Sequence, residues 1–187
     1  MFRFSGVFLV CLLWPALATA ELSETVDYNY YEVSAEVGAT GLMEHLNSAS
    51  PVRRGDKVFH AHTDWDIDWQ FDWQSENEQC RIVDVTVSLD AIILLPAMSS
   101  ADADLQQQFN TYVAELQRHE TGHYTIAVQA ANAIVLQLER LAAESCSVIE
   151  EQANQLALAI IDAHVLKEKE YDRVTRHGAD QDAWEMF

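Results

Sequence analysis

The sequence is short of basic residues, of glycine and proline, and of long hydrophobic runs, and each shortage excludes a class of protein. Only 11 lysines and arginines stand against 30 aspartates and glutamates, which gives a net charge of −19. So acidic a surface repels the phosphates of nucleic acids. Beyond the N-terminal segment no stretch approaches the roughly 20 apolar residues of a membrane-spanning helix. The six glycines and three prolines form no linker and no repeat is visible, so we expect one domain.

The first twenty residues have the three parts of a secretory signal peptide. Arg3 supplies the positive charge, Val7 to Leu17 form an apolar stretch too short to span a membrane, and Ala18-Thr19-Ala20 is an A-x-A cleavage site. We therefore expect residues 1–20 to be removed. Residues 21–187 should then form a single exported domain, either periplasmic or secreted.

Two cysteines, Cys80 and Cys146, remain after that cleavage. An even number of cysteines in an oxidising compartment predicts one disulfide, which would enclose about 65 residues and contribute a few kcal/mol. Neither cysteine has a partner at the spacing of a zinc site, so we expect neither to bind metal.

Strand patterns fill the first half of the chain. The aromatic and β-branched run Tyr28–Val37 predicts a strand, and Leu42–Leu46 predicts a short helix. Residues 59–73, FHAHTDWDIDWQFDW, alternate between an apolar face and a polar one, which is typical of a long half-buried strand. Residues 80–89 return with one apolar face, so we expect an antiparallel hairpin. The members of that second apolar face are Val83, Val85, Val87 and Leu89.

The polar face of residues 59–73 allows other interpretations. His60 and His62 could chelate a metal with the aspartates beside them, or the acidic face could make this a cation-binding or adhesion domain. We favour a solvated face, because the whole chain is acidic and nothing in the spacing demands an ion.

Apolar residues at helical spacing dominate the second half. Serines and aspartates over residues 99–104 predict a helix start, and no proline interrupts the stretch to Ser145. A second helix is predicted over residues 148–172, with a corner at residues 144–147, so the two helices should form an antiparallel hairpin. The expected fold class is α+β, with a small antiparallel sheet packed on this long helical hairpin.

The sequence HETGH, residues 119–123, lies in the middle of the first predicted helix. Residues four apart share a helix face, so His119 and His123 can bind one ion. Glu120 projects beside them, where it can take a proton from a metal-bound water. Gly122 lowers helix stability by roughly 1 kcal/mol against alanine, which indicates a close approach of backbone or substrate there. The pattern predicts a zincin-like fold with Zn²⁺ as its cofactor.

A catalytic zinc usually has three protein ligands, so one more is expected. Equal counts along the two helices from the corner at Cys146 place residues 168–173 level with His123. His177 lies a few residues further on and could fold back over the site. The candidates within the level stretch are Glu168, Glu170, Tyr171 and Asp172.

HETGH, followed by Cys146 and by YDRVTRHG at residues 171–178, resembles a bacterial domain-of-unknown-function family described as predicted secreted zinc-dependent proteases. That family's pattern is HExxH followed by YDxxTxHG. The tryptophan-rich strand, Cys80 and Leu95-Pro96 also fit its middle region, so the resemblance covers nearly the whole mature chain.

The resemblance implies that the third zinc ligand is Asp172 or His177 and leaves that choice open. The residue that is not the ligand would support one, because a zinc-bound imidazole normally donates its other N–H to an acceptor. Tyr171 would donate a hydrogen bond to a developing oxyanion, or would be an amphipathic tyrosine at a helix end. Thr175 is expected to be structural.

The sequence therefore predicts an enzyme, a zinc-dependent peptidase in which Glu120 is the general base for a zinc-activated water. Its partner would be a peptide or protein substrate, which an edge strand from residues 59–89 could hold by backbone pairing. The alternative is a non-catalytic zinc-binding envelope or interaction module, which would keep the two histidines without needing Glu120.

Overall fold

The computed structural model describes residues 19–34, 41–76 and 79–179. In chain order the elements are β1 (Thr19–Glu32), α1 (Leu42–Ala49), β2 (Arg53–Arg54), β3 (Lys57–Val58), β4 (His62–Glu76), β5 (Gln79–Ala97), α2 (Ala103–Leu138), β6 (Ala142–Ala143) and α3 (Cys146–Thr175).

The larger sheet has the strand order β1-β5-β4, with β6 paired to the start of β5, while β2 and β3 form a separate ribbon. With three helices and a mixed sheet in the described part, the fold class is α+β. None of these helices combines the length and hydropathy of a membrane span.

The predicted antiparallel hairpin is confirmed as β4 and β5, which pair from His62↔Leu94 to Glu76↔Gln79. The prediction that Val83 lies on the buried face is wrong. The register shifts at Asp72 and Trp73, where Val83 is the extra residue of a bulge. Along the chain, the buried positions of β5 nearest this bulge are even-numbered before it and odd-numbered after it. These buried residues are Cys80, Ile82, Val85, Val87 and Leu89.

The expectation of a wholly antiparallel sheet is also wrong, because β1 pairs with β5 in parallel from Thr19↔Asp84 to Glu32↔Ala97. This strand begins well before the predicted Tyr28 and ends at Glu32, and residues 35–37 of the predicted strand lie outside the described part. Of the predicted signal peptide, residues 1–18 also lie outside it, whereas Thr19 and Ala20 open β1.

The first long helix is shorter than predicted. Asp102 begins α2 by accepting hydrogen bonds from the backbone N–H groups of Asp104 and Leu105, at 3.0 and 3.1 Å. The helix ends at Leu138 instead of Ser145, because the following residues leave the helix to pair with β5 as β6. The second helix, α3, therefore starts at Cys146.

The two long helices run in opposite directions, since their contacts join His119 to Asp172 and His123 to Glu168. Both helices lie on the same side of the β4–β5 hairpin, and alanines at their buried positions let the backbones approach closely. The predicted disulfide Cys80–Cys146 joins β5 to the start of α3, with Cα atoms 5.0 Å apart. The helix members of this core are Ala127, Ala130, Ala131, Ile134, Leu138, Ile149, Ala153 and Ala157.

A smaller core holds α1 against the start of α2. Its buried members include Leu42 and Leu46 of α1 and Phe109 of α2. The chain between α1 and β4 is bonded to α2 at His60, whose Nδ1 lies 2.7 Å from the Tyr112 hydroxyl.

Candidate metal centre

Three ligand atoms meet where α2 and α3 face each other. His119 Nε2 lies 3.3 Å from His123 Nε2. Asp172 Oδ1 lies 3.2 Å from the first nitrogen and 3.1 Å from the second. Among the described residues these three side chains are the one group of His, Cys, Asp or Glu that could hold a single metal ion. We call His119, His123 and Asp172 the ligand group.

The position of these side chains follows from helix geometry. His119 and His123 are one turn apart on α2, so both imidazoles face α3. Asp172 reaches the same point from α3 because the two helices are antiparallel. His119 is only 3% exposed, and the side chains of His123 and Asp172 are 12% and 26% exposed. The site is thus partly shielded from water but remains open on one side.

Glu168 of α3 contacts the His123 imidazole on the nitrogen that faces away from the shared point. Its Nδ1 lies 3.3 Å from Glu168 Oε1, which also accepts a hydrogen bond of 2.8 Å from the indole N–H of Trp65. A carboxylate at this distance stabilises a proton on Nδ1, so that Nε2 is the nitrogen that faces the shared point. Glu168, one of the residues level with HETGH, is therefore placed to orient His123 from outside the ligand group.

The imidazole of His119 has a different support. Its Nδ1 lies 3.4 Å from the hydroxyl oxygen of Thr175, and that hydroxyl donates at 2.7 Å to the carbonyl oxygen of Tyr171. The Thr175 oxygen is thus available to accept the Nδ1 proton of His119. Thr175 is fully buried, in agreement with the structural position expected for it.

The Tyr171 ring packs directly against the backbone of Gly122. This is the close approach predicted from a glycine in the middle of a helix. A Cβ atom at Gly122 would lie 2.0 Å from the Tyr171 hydroxyl oxygen and 2.4 Å from Cζ. The Tyr171 ring is fully buried and stacks on His119 at 4.9 Å, and its hydroxyl donates to the His119 carbonyl oxygen at 2.9 Å. The structure therefore places Tyr171 beneath His119 and His123, with its hydroxyl bonded to the backbone of α2.

Glu120 lies beside the ligand group and is 5% exposed. The hydroxyl of Thr63 on β4 donates to Glu120 Oε2 at 2.7 Å. No described residue donates a hydrogen bond to Oε1. One carboxylate oxygen is therefore fixed by the sheet, and the other is left for a molecule in the pocket.

The last turn of α3 brings His177 close to the site. Arg176, His177 and Gly178 have positive φ angles of 50°, 54° and 89°, so the chain turns back sharply at the helix end. His177 Nδ1 lies 3.3 Å from Asp172 Oδ1, and its ring meets Phe59 edge-on at 5.1 Å. Its side chain is 46% exposed and is not part of the ligand group. Of the two candidates for the third ligand, the structure brings Asp172 to the histidines.

The charged groups of the site shift one another's pKa values. Burial lowers the pKa of His123, but hydrogen bonds with Asp172 and Glu168 and the charge of Glu120 outweigh it and raise that pKa to about 9. Burial raises the pKa of Asp172, whereas hydrogen bonds with His119 and His123 hold it well below its ordinary range. The carboxylate of Asp172 is therefore ionised, and the protein alone stabilises a positive charge beside it.

A pocket of about 470 Å³ opens over these groups. His60 and His62 belong to its wall and not to the ligand group. His60 is bonded to Tyr112 at 2.7 Å and to Asn47 at 2.9 Å. The aspartates of β4 are exposed on the other face of the strand, as expected for a solvated face. Residues lining the pocket include Arg54, Phe59, His60, Ala61, His62, Thr63, Glu120, Lys169 and His177.

The sequence profile of a family described as "Bacterial protein of unknown function (DUF922)" matches residues 28–178. The chain belongs to the DUF922 family. The matched region contains both HETGH and residues 171–178, so the candidate metal centre lies within the DUF922 domain. No curated protein and no solved structure matches this DUF922 chain.

The sequence of this DUF922 chain does not by itself reveal that β4 contributes to the site, through the bonds of Thr63 to Glu120 and of Trp65 to Glu168. Thr63 and Trp65 were expected on the buried face of that strand but without a role at HETGH. The sequence feature that indicates such a contact is Thr63, a hydroxyl on a strand face that is otherwise aliphatic or aromatic. A buried hydroxyl requires a partner, and in this protein its partner is Glu120.

Proposed function

We propose that this protein is a zinc-dependent peptidase with a zincin-like arrangement, in which His119, His123 and Asp172 hold the ion. The observation that carries the proposal is the spacing of the three ligand atoms, which are 3.1 to 3.3 Å apart. Donors in a tetrahedral site with bonds of about 2.05 Å are separated by about 3.3 Å. The disulfide supports the further proposal that the protein is exported, because such bonds persist in oxidising compartments.

The chemistry of these donors also fits zinc. Two imidazoles and one carboxylate form a common set of catalytic zinc ligands, with the fourth position left for water or substrate. Glu168 and the Thr175 hydroxyl stand behind His123 and His119, on the nitrogens that would not bind the ion. His177, at 3.3 Å from Asp172 Oδ1, would donate to that carboxylate and orient it.

Glu120 is the proposed acid–base residue. A zinc ion at this point would polarise a substrate carbonyl and lower the pKa of a water molecule. The Thr63 hydroxyl holds Oε2 of Glu120, and Oε1 would accept the proton as the water attacks. Glu120 would then give that proton to the amine that leaves, so that one carboxylate serves both steps.

The sheet offers a place for an extended peptide. β4 is at one edge of the sheet order β1-β5-β4, and Ala61, His62 and Thr63, at its start, line the pocket. A peptide added beside this strand would pair with its free backbone groups and lie across the mouth of the pocket. Peptides are therefore the substrate class that this site supports best.

Zinc content and peptide hydrolysis of the protein purified without chelator test the proposal. We expect about one zinc per chain, lost in His119→Ala and Asp172→Ala and retained in His177→Ala. A matched control is His164→Ala, which removes an α3 histidine bonded to the carbonyl of Ile160 outside the site.

Glu120→Gln separates catalysis from metal binding. This variant should keep the zinc and lose hydrolysis by at least about 100-fold. Hydrolysis that survives in Glu120→Gln would contradict the mechanism. Zinc binding without hydrolysis in the wild-type protein would leave the non-catalytic zinc module, and folded protein that binds no zinc would refute both.

A further inference from the structure

Two cationic side chains line the metal pocket of a chain in which 30 acidic residues face only 11 basic ones. Arg54 reaches the pocket from the β2–β3 ribbon, and Lys169 reaches it from α3. They stand on two different walls, with the ligand group of α2 and α3 below them. Their presence in this one cavity is the feature that requires explanation.

The carboxylates of the pocket do not explain these cations, because each carboxylate already has partners. No described carboxylate lies within ion-pair distance of Arg54 or Lys169. The existing pairs are Glu120 with Thr63, Glu168 with Trp65 and His123, and Asp172 with the two HETGH histidines.

Arg54 is held in position without an ion pair. Its guanidinium carbon lies 5.9 Å from the centroid of the Phe59 ring, and Nη2 lies 3.4 Å from His62 Nε2. The face of an aromatic ring attracts a guanidinium without using its N–H groups, which stay free for a ligand. Lys169 is exposed, and no described residue forms a hydrogen bond or ion pair with it. Both cations are therefore available to a bound molecule.

The charge balance of the pocket changes when an ion is bound. A bound metal requires neutral histidines; the three carboxylates, the two cations and a divalent ion then sum to one positive charge. The remainder of the acidic surface repels anions at long range. Recognition of an anionic group would therefore depend on short-range contacts with these two side chains, and arginine suits a planar carboxylate because two N–H groups can bind it together.

The geometry points to a peptidase selective for substrates with a carboxylate near the scissile bond, bound by Arg54 and Lys169. This inference rests on the proposed function for the reaction, but not for the binding of the carboxylate. The carboxylate could be an acidic side chain or the C-terminus of the peptide, and the chemistry of recognition is the same for both.

Internally quenched peptides cleaved by the zinc-loaded protein test this inference. Each pair differs by Glu or Gln at one position, and each peptide is made with a free and with an amidated C-terminus. We expect Glu peptides, or free C-termini, to have a kcat/KM at least about fivefold higher than their neutral counterparts. The pair that shows the difference identifies the source of the carboxylate.

Matched variants assign the preference to the pocket. Arg54→Gln and Lys169→Gln should reduce or abolish it. Arg53→Gln and Lys167→Gln remove the same charge from the neighbouring arginine and from the same helix, but neither residue lines the pocket. These two controls should keep the preference of the wild-type protein.

The possible outcomes separate this inference from the proposed function. Equal cleavage of charged and neutral peptides would overturn the inference and leave the peptidase standing. If no peptide is cleaved, fluorescence anisotropy of the same peptides in labelled form decides. Tighter binding of the charged peptides that Arg54→Gln removes would support the inference, and equal or absent binding would overturn it.

Discussion

Gly122→Ala should destabilise the protein, although alanine is the better helix former. In an isolated helix the substitution would add about 1 kcal/mol of stability. Here the new methyl group would lie 2.0 Å from the Tyr171 hydroxyl oxygen and 2.4 Å from Cζ. The ring cannot move away, because it is fully buried and its hydroxyl is bonded to the His119 carbonyl. Overpacking costs about 1–3 kcal/mol and sometimes more, and a contact of 2.0 Å belongs to the upper part of that range, about 2–3 kcal/mol. After the helix-propensity gain is subtracted, we expect a net loss of about 1–2 kcal/mol.

Urea unfolding of the metal-free, oxidised protein measures this effect. Thr121→Ala, at the exposed neighbouring position, is the control and should change stability by no more than about 0.5 kcal/mol. In a Tyr171→Ala background the clash is absent, so Gly122→Ala should become neutral or stabilising. A Gly122→Ala protein as stable as the wild type, with Tyr171 present, would refute the packing described here. The same substitution should weaken zinc binding, because Tyr171 stacks on His119.

Three further predictions concern groups around the site. Thr63→Val leaves the buried carboxylate of Glu120 without its donor, so urea unfolding should show a loss of about 1–3 kcal/mol; an unchanged midpoint would contradict the bond. Glu168→Gln should weaken zinc binding about 10–100-fold in competition with a chelator, whereas Glu170→Gln, on the exposed side of α3, should not. Burial lowers the pKa of His60 from its ordinary 6.5, so the folded state binds fewer protons and stability should fall as the pH drops below about 6.5. Urea midpoints at pH 7.5 and 5.0 should differ less in His60→Gln than in the wild type.

The grouping of His119, His123 and Asp172 could be predicted because it depends on regular helix geometry. HETGH puts His119 and His123 on one face by local spacing alone. Counting equal distances from Cys146 predicts the correct level for Asp172, although the predicted end of the first helix is wrong. The observed pairs are His119–Asp172 and His123–Glu168. In both pairs the midpoint of the two residue numbers lies between 145 and 146, beside the cysteine where the count began. The choice between Asp172 and His177 could not be made in this way, because His177 lies beyond the helix where the backbone turns.

The rest of the fold depends on contacts that no local pattern encodes. The parallel pairing of β1 with β5 joins strands far apart in the chain, and an alternating strand carries no mark of its partner's direction. The bulge at Val83 interrupts the period of two on which the predicted face relied. The bond between Thr63 and Glu120 spans 57 residues, so it becomes visible only when sheet and helix are packed together.

The alternation in β4 connects the acidic surface to the candidate metal centre. Thr63 faces the helices, whereas Asp64 and Asp66 face solvent. A slip of β4 by one residue against β5 would exchange the two faces and bring Asp64 towards the position where Thr63 now meets Glu120. Two carboxylates would then share a buried place without a donor between them, which is strongly unfavourable. The exposed aspartates therefore have a structural consequence in addition to solubility, because they penalise the wrong register and so help to hold the Thr63 hydroxyl at Glu120.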